Sequence, residues 1–242
     1  MNKLISFSLY GNDPKYVRGL YENLKIKEEK QLYQNWKVVV FHDYTVKKEV
    51  LDYLKNHNVE LIDMTESQIF ATSWRFCAAD LECERFIVRD SDSRISKREE
   101  EAVEKWIEND TILHIMRDHP HHGYVINGGM WGMKPVEGLD MRTAIIKYQG
   151  NITGQMVHSN ERAAWWMKDM DFLRDVIYRL FGNPDQCTVH NAMDFMTRMP
   201  WKCEDWARNF PSPIGPDKHF VGEVFYFDEN GNEQRGPQWQ ER

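Results

Sequence analysis

Short apolar runs alternate with longer amphipathic stretches through the first half of the chain. Leu4–Leu9 reads as a strand and Tyr10–Asp13 as a turn, and Pro14 suits the first position of a helix capped by Asp13. That helix runs to about Lys30, with Tyr16, Leu20 and Leu24 along one face. Trp36–His42 is a second strand, and its unbroken Val38-Val39-Val40-Phe41 suits a strand covered on both faces. A helix near Lys47–His57, a strand over Val59–Met64, a helix over Ser67–Leu81 and a strand over Arg85–Arg89 follow. Ser96-Lys97-Arg98-Glu99 is a capping box, in which each side chain satisfies the other residue's exposed backbone N–H. The helix it opens carries Ala102, Val103, Trp106 and Ile107 at helical spacing, and Ile112–Met116 is a fifth strand. Strands and helices in this alternation predict an α/β fold: a mostly parallel, Rossmann-like central sheet flanked by helices.

Beyond Arg117 the pattern is less regular. Gly128–Gly132 reads as a turn and short strand, while Gly138–Tyr148 and Asn160–Phe181 read as helices, the second broken near Lys168. Asn209–Gly215, with Pro211 and Pro213, reads as loop, and Phe220–Phe227 as a last strand. The polar tail from Asp228 to Arg242 is expected to be irregular. No internal repeat or low-complexity linker divides the 242 residues, enough for one sizeable core, so a single domain is expected.

Composition narrows the function classes. The hydrophobic share of 41% is that of a globular chain. Nine Trp raise the aromatic content; Trp packs cores, but its flat face and single N–H donor also suit sugar and base sites. A net charge of −7 argues against nucleic acid as a partner, which calls for a basic surface. Cys77, Cys83, Cys187 and Cys203 form no C-x-x-C pair and read as reduced thiols. The apolar run in Met1–Pro14 is too short for a signal peptide or anchor, and no run of about 18 apolar residues predicts a transmembrane segment. The expected location is the cytoplasm.

The most informative stretch is Phe86-Ile87-Val88-Arg89-Asp90-Ser91-Asp92-Ser93-Arg94. Asp90 and Asp92 leave the C-terminal end of an apolar strand, the edge at which open α/β sheets bind ligands. Two carboxylates one residue apart in a turn can reach one hard cation, and that cation can bridge diphosphate oxygens. Arg89 and Arg94 can pair with these carboxylates or contact phosphates.

Trp74-Arg75-Phe76, Val88–Arg94 and Arg98-Glu99 with Ala102-Val103 and Trp106 together resemble a group of GT-A-type glycosyltransferases from bacteria, algae and large viruses. The resemblance continues through His114–Pro120, Gly128–Gly132, Asp169–Leu173 and Phe220–Phe225, and spans about Ser6 to Gly231. It implies a D-x-D metal site for Mn²⁺ or Mg²⁺, a nucleotide-sugar donor (a UDP- or GDP-sugar) and a hydroxyl acceptor such as a glycan. If the chain is viral, its compartment would be the host cytoplasm. The nucleotide-binding half would occupy about 1–117, the sugar and acceptor half about 118–227, and the tail 228–242.

Residue by residue, Asp90 and Asp92 match the metal-binding pair, and Ser8-Leu9-Tyr10-Gly11 the edge that holds base and ribose, with Asp43 a further candidate there. Arg75 and Arg89 are candidates for the donor, and Gly128-Gly129 matches a loop whose backbone must approach the sugar. Asp169-Met170-Asp171-Phe172-Leu173 resembles a D-Q-x-F-L motif near the transferred sugar, which makes Asp169 and Asp171 the catalytic candidates. Met170 stands where that motif has Gln. His219-Phe220-Val221-Gly222 resembles the H-F-x-G element of related retaining enzymes, whose His is a third metal ligand; His190 is the rival for that place. His119, His121 and His122 lack structural-zinc spacing and are expected to line the site from a loop.

The resulting expectation is a metal-dependent hexosyl- or pentosyltransferase, with the H-F-x-G likeness pointing towards retention. Two other readings are kept. A nucleotidyltransferase would want a Gly-rich basic loop after the first strand, where Ser8–Lys15 has only Gly11 and Lys15. A non-catalytic nucleotide- or carbohydrate-binding module would account for the Trp content. The sequence leaves the sugar, the acceptor and the oligomeric state open.

Overall fold

A computed structural model describes residues 2–155, 168–192 and 204–236. Cys203, residues 160–167 of the expected second helix and the tail beyond 236 lie outside them. The strands are β1 (Lys3–Leu9), β2 (Trp36–His42), β3 (Glu60–Asp63), β4 (Arg85–Arg89), β5 (Leu113–Arg117), β6 (Met130–Met133), β7 (Cys187–Asn191), β8 (Arg208–Asn209), β9 (Phe225–Phe227) and β10 (Glu233–Arg235). The helices are α1 (Pro14–Glu29), α2 (Lys48–Asn56), a 3-10 segment (Ala71–Asp80), α3 (Lys97–Asn109), α4 (Met141–Gln155) and α5 (Lys168–Phe172). The helix at α5 continues as a π-helical turn, Leu173–Tyr178, and ends at Arg179–Phe181.

Among the described residues eight strands form one sheet, in the order β3-β2-β1-β4-β6-β5-β7-β8. Pairing is parallel except at β6, which lies antiparallel between β4 and β5 with Val88 opposite Trp131 and Leu113 opposite Met133. Alternate residues of the central strands feed two apolar layers. Leu4, Val39, Phe41, Phe86 and Val88 pack on one face, and Ile5, Phe7, Val38, Val40 and Ile87 on the other. A strand buried on both faces needs no polar alternation, which is why these runs read as continuous apolar sequence. The mostly parallel sheet with flanking helices is the expected fold class.

Several expectations change. Ser67–Leu81 is not an α-helix: only Ala71–Asp80 is helical, and it is wound as 3-10. Ser73 to Ala79 are all buried, so the segment carries no polar face, and its backbone leans on β1. Ser6 Oγ donates to the Arg75 carbonyl (2.7 Å) and Arg75 N donates to Ser8 Oγ (3.0 Å). Half of the capping box forms: Ser96 Oγ accepts from Glu99 N at 3.2 Å. The Glu99 carboxylate turns inward to Arg89 Nε and Tyr33 Oη, each at 2.7 Å, because a buried guanidinium needs a counter-charge. The expected last strand shrinks to β9, since Gly222 turns the chain at φ +79° and only Phe225–Phe227 is extended. Glu233–Arg235, in the tail expected to be irregular, pairs with β9 as a hairpin.

Candidate active site

Asp90-Ser91-Asp92 leaves β4 beside the C-terminal end of β1, as its position after an apolar strand predicted. The turn is held from two sides. Asn23, buried on α1, donates to the carbonyls of Ser93 (2.8 Å) and Ser91 (3.3 Å) and accepts from Ile95 N (2.9 Å). From the C-terminal hairpin, Phe225 N donates to the Asp92 carbonyl at 2.8 Å, and Arg94 bonds Glu233. Arg94 therefore fastens the hairpin rather than facing a ligand, and it stacks over Phe225 as well.

The turn borders a cleft of about 540 Å³ lined by Ser8, Tyr10, Lys15, Arg75, Asp90, Asp92, Gly128 and Asp169, with Val224 and Tyr226 of the hairpin forming one wall. Arg75 is its electrostatic centre. Its guanidinium pairs with Asp90 and reaches Asp169 Oδ2 at 3.5 Å. Burial works against the Arg75 charge, but these carboxylates outweigh it and raise its pKa. Asp92 is paired instead with Lys15, Nζ to Oδ2 2.6 Å. Burial raises the Asp92 pKa, and the neighbouring Asp90 charge adds to the effect while Lys15 opposes it. Burial likewise raises Asp169, against the pull of Arg75.

The two glycines before β6 make this packing possible. A Cβ on Gly129 would lie 2.0 Å from Asp90 Oδ2, and one on Gly128 would lie 2.8 Å from Arg75 Nη2 and 2.9 Å from Asp169 Oδ2. The close backbone approach expected of Gly128-Gly129 is thus made to the site's own charged side chains.

The structure gathers Ser8, Tyr10, Arg75, Asp90, Asp92, Gly128, Gly129 and Asp169. Other candidates lie elsewhere. Arg89 is fully buried in its pair with Glu99 and does not face the cleft. Asp43 does not line it either: its carboxylate accepts from Thr45 N (3.0 Å), and Thr45 Oγ1 in turn accepts from Gly11 N (2.7 Å), so it braces the β1 loop. Asp171 turns to Lys168 (3.1 Å) and Arg174 (2.9 Å). His219 hydrogen-bonds the buried Glu223 at 2.6 Å through Nδ1 and does not line the cleft, and His190 hydrogen-bonds His114 at 2.9 Å inside the sheet layer. His119 stacks on Phe220, and His122 Nδ1 accepts from Asp118 N at 3.0 Å, so the histidine loop packs the fold.

Among the described residues no three His, Cys, Asp or Glu side chains converge as a metal cage. Two hard carboxylates at a cleft edge, one of them half-exposed, nevertheless fit a cation whose remaining ligands come from diphosphate oxygens and water. Sequence reasoning missed Lys15, Tyr226 and Asn23. Lys15 and Tyr226 had no pattern to mark them, whereas Asn23 had one: it is a polar residue on the Leu20–Leu24 face of α1.

No protein-family model matches the chain, and no curated protein matches it. Solved structures do. The galactosyltransferase LgtC in complex with donor and acceptor sugar analogs is 14% identical, with 88% of each chain covered and a TM-score of 0.50. The mannosyltransferase PcManGT from Pyrobaculum calidifontis, in complex with GDP-Man and Mn²⁺, is 13% identical at a TM-score of 0.42. That match covers 55% of this chain and 44% of the mannosyltransferase, so the chain spans less than half of that relative's length. The 4-diphosphocytidyl-2C-methyl-D-erythritol synthase from Anaerococcus prevotii is 11% identical, with 78% and 87% covered and a TM-score of 0.40. The last two likenesses are too loose to carry an argument; the first shows the fold, which is GT-A-like. Among the described residues no helix is long and apolar enough to cross a membrane.

Proposed function

We propose that the chain is a metal-dependent glycosyltransferase that moves a sugar from a UDP- or GDP-sugar to a hydroxyl acceptor, a glycan in the reading we favour. The observation that carries this is the convergence of Asp90, Asp92, Arg75 and Asp169 in one cleft at the C-terminal edge of a GT-A-like sheet. The cleft's volume of about 540 Å³ suits a nucleotide-sized ligand.

Ser8 and Tyr10, at the end of β1, bind the nucleoside; Tyr10 is 42% exposed and can offer its ring to a base. Asp90 and Asp92 would hold Mn²⁺ or Mg²⁺, which supplies Lewis-acid stabilisation of the departing diphosphate when bound. Arg75 orients Asp90 and Asp169 at once, and its positive charge at the cleft would stabilise negative charge growing on the leaving group. Asp169 is the carboxylate that faces the cleft from the D-x-x-F-L helix. It either takes the acceptor proton, giving inversion, or stabilises positive charge on the sugar, giving retention. Analysis of the product anomer by NMR separates these outcomes.

The test is donor hydrolysis and transfer across UDP- and GDP-sugars with Mn²⁺, comparing the wild type with Asp92→Ala. Activity in the wild type alone is expected. Equal activity in the two would refute the metal role. Turnover of a nucleoside triphosphate and a sugar phosphate, with pyrophosphate released, would instead favour nucleotidyl transfer.

A further inference from the structure

Lys15 is oddly placed for a structural residue. It follows Pro14 in the first turn of α1, where the helix dipole disfavours a cation, and that turn contains no acidic side chain. The ammonium reaches across the cleft to Asp92 Oδ2 at 2.6 Å, with the rings of Tyr226 and Tyr16 4.6 Å and 4.9 Å away. Its side chain is 20% exposed and lines the cleft. The cleft's acids are thereby divided between two cations: Arg75 takes Asp90 and Asp169, and Lys15 takes Asp92.

The two cations differ in what they can do. Arg75 is anchored through its backbone to Ser6 and Ser8 and sits among carboxylates on two elements. A lysine is a point charge on a flexible four-carbon stem, held here only at its tip and by aromatic flanks. A divalent cation on Asp92 would repel the ammonium from the carboxylate it now holds. The Arg75-paired acids offer it no vacant partner, whereas a diphosphate in the same cleft does.

We infer that Lys15 is an exchangeable counterion: it competes with the divalent cation for Asp92 and, when that cation binds with a nucleoside diphosphate, transfers to the diphosphate oxygens. The first half rests on the proposed metal role of Asp92, and the second on the glycosyltransferase reading as well.

The experiment uses the full chain with Lys15→Met and Lys15→Arg. Mn²⁺ alone is titrated first, with free Mn²⁺ followed by electron paramagnetic resonance; UDP and GDP are then titrated calorimetrically at saturating Mn²⁺. Lys15→Met should bind Mn²⁺ alone about tenfold more tightly, since a competing charge is gone, and the nucleotide about tenfold more weakly. Lys15→Arg, which keeps the charge, should stay within about threefold of the wild type in Mn²⁺ affinity. A Lys15→Met protein whose Mn²⁺ affinity is unchanged or reduced overturns the competition. Tighter Mn²⁺ binding with unaltered nucleotide affinity overturns the transfer to diphosphate. Should the wild type bind neither UDP nor GDP, the glycosyltransferase reading and the transfer fall together, and the Mn²⁺ titration still decides the competition.

Discussion

Gly129→Ala puts a methyl group where the site has no room. The new Cβ would lie 2.0 Å from Asp90 Oδ2, 2.4 Å from its Cγ and 2.8 Å from its backbone N. Ordinary contact needs about 3.4 Å or more, so the carboxylate oxygen must retreat by roughly 1.4 Å. Rotating the side chain relieves only the first two clashes. The backbone at the end of β4 must also give, and it is paired to the start of β6 through Arg89 and Met130. Overpacking of this kind costs about 1–3 kcal/mol. The Asp90 carboxylate would be pulled off Arg75, and an error of that size in a positioned group costs on the order of a hundredfold in rate. Gly150→Ala serves as the control of opposite sign. It lies within α4, the new methyl group would meet nothing within 4 Å among the described residues, and alanine should stabilise the helix by about 0.5–1 kcal/mol. Urea denaturation of both variants, with Mn²⁺-dependent nucleotide binding and donor turnover, reads the effects. Wild-type stability and turnover in Gly129→Ala would refute the close-approach argument.

Other predictions concern the buried charges and the displaced histidines. Arg117 makes two 2.8 Å bonds to Glu204, which also accepts from Tyr178 Oη at 2.8 Å, so Glu204→Gln strands a buried guanidinium and should cost about 3 kcal/mol in chemical denaturation. His190 is held neutral: burial, then the charges of Arg208 and Arg98, lower its pKa to about 4. The unfolded chain takes up that proton below about pH 6.5 and the folded chain does not, so stability should fall by roughly 3 kcal/mol as pH drops from 6.5 to 4. His114 is lowered in the same direction by its burial and adds to the slope, and His190→Gln should flatten it in urea midpoints measured across that range. His219→Ala should leave Mn²⁺-dependent nucleotide affinity within about twofold, since His219 does not line the cleft; a tenfold loss, about 1.4 kcal/mol, would mean that it reaches the cation.

The sequence by itself determined β1, α1, β2, α2 and β4 nearly to the residue, and the start of α3, because each is a local pattern: an apolar run covered on both faces, or a helix with one apolar stripe. It also placed Asp90 and Asp92 at a ligand-binding edge, since a turn after a buried parallel strand can end nowhere else. Tertiary structure decided the rest. β7 escaped the pattern because Thr188, His190 and Asn191 are polar yet buried: Thr188 meets Thr111 and Asn109, His190 meets His114 on β5, and Asn191 Oδ1 accepts from Arg117. β10 is polar throughout and exists because β9 pairs with it and Arg94 holds Glu233. The insertion of β6 between β4 and β5 leaves no local trace, yet it brings Gly128 and Gly129 against Arg75, Asp90 and Asp169. Which cation serves which carboxylate was likewise set by distance across the fold. Arg89 adjoins Asp90 in sequence but alternates to the opposite face of the sheet to meet Glu99, whereas Lys15, 75 positions earlier than Asp90, arrives at Asp92 from α1. A strand's two-residue period turns adjacent side chains apart, and only packing brings distant ones together.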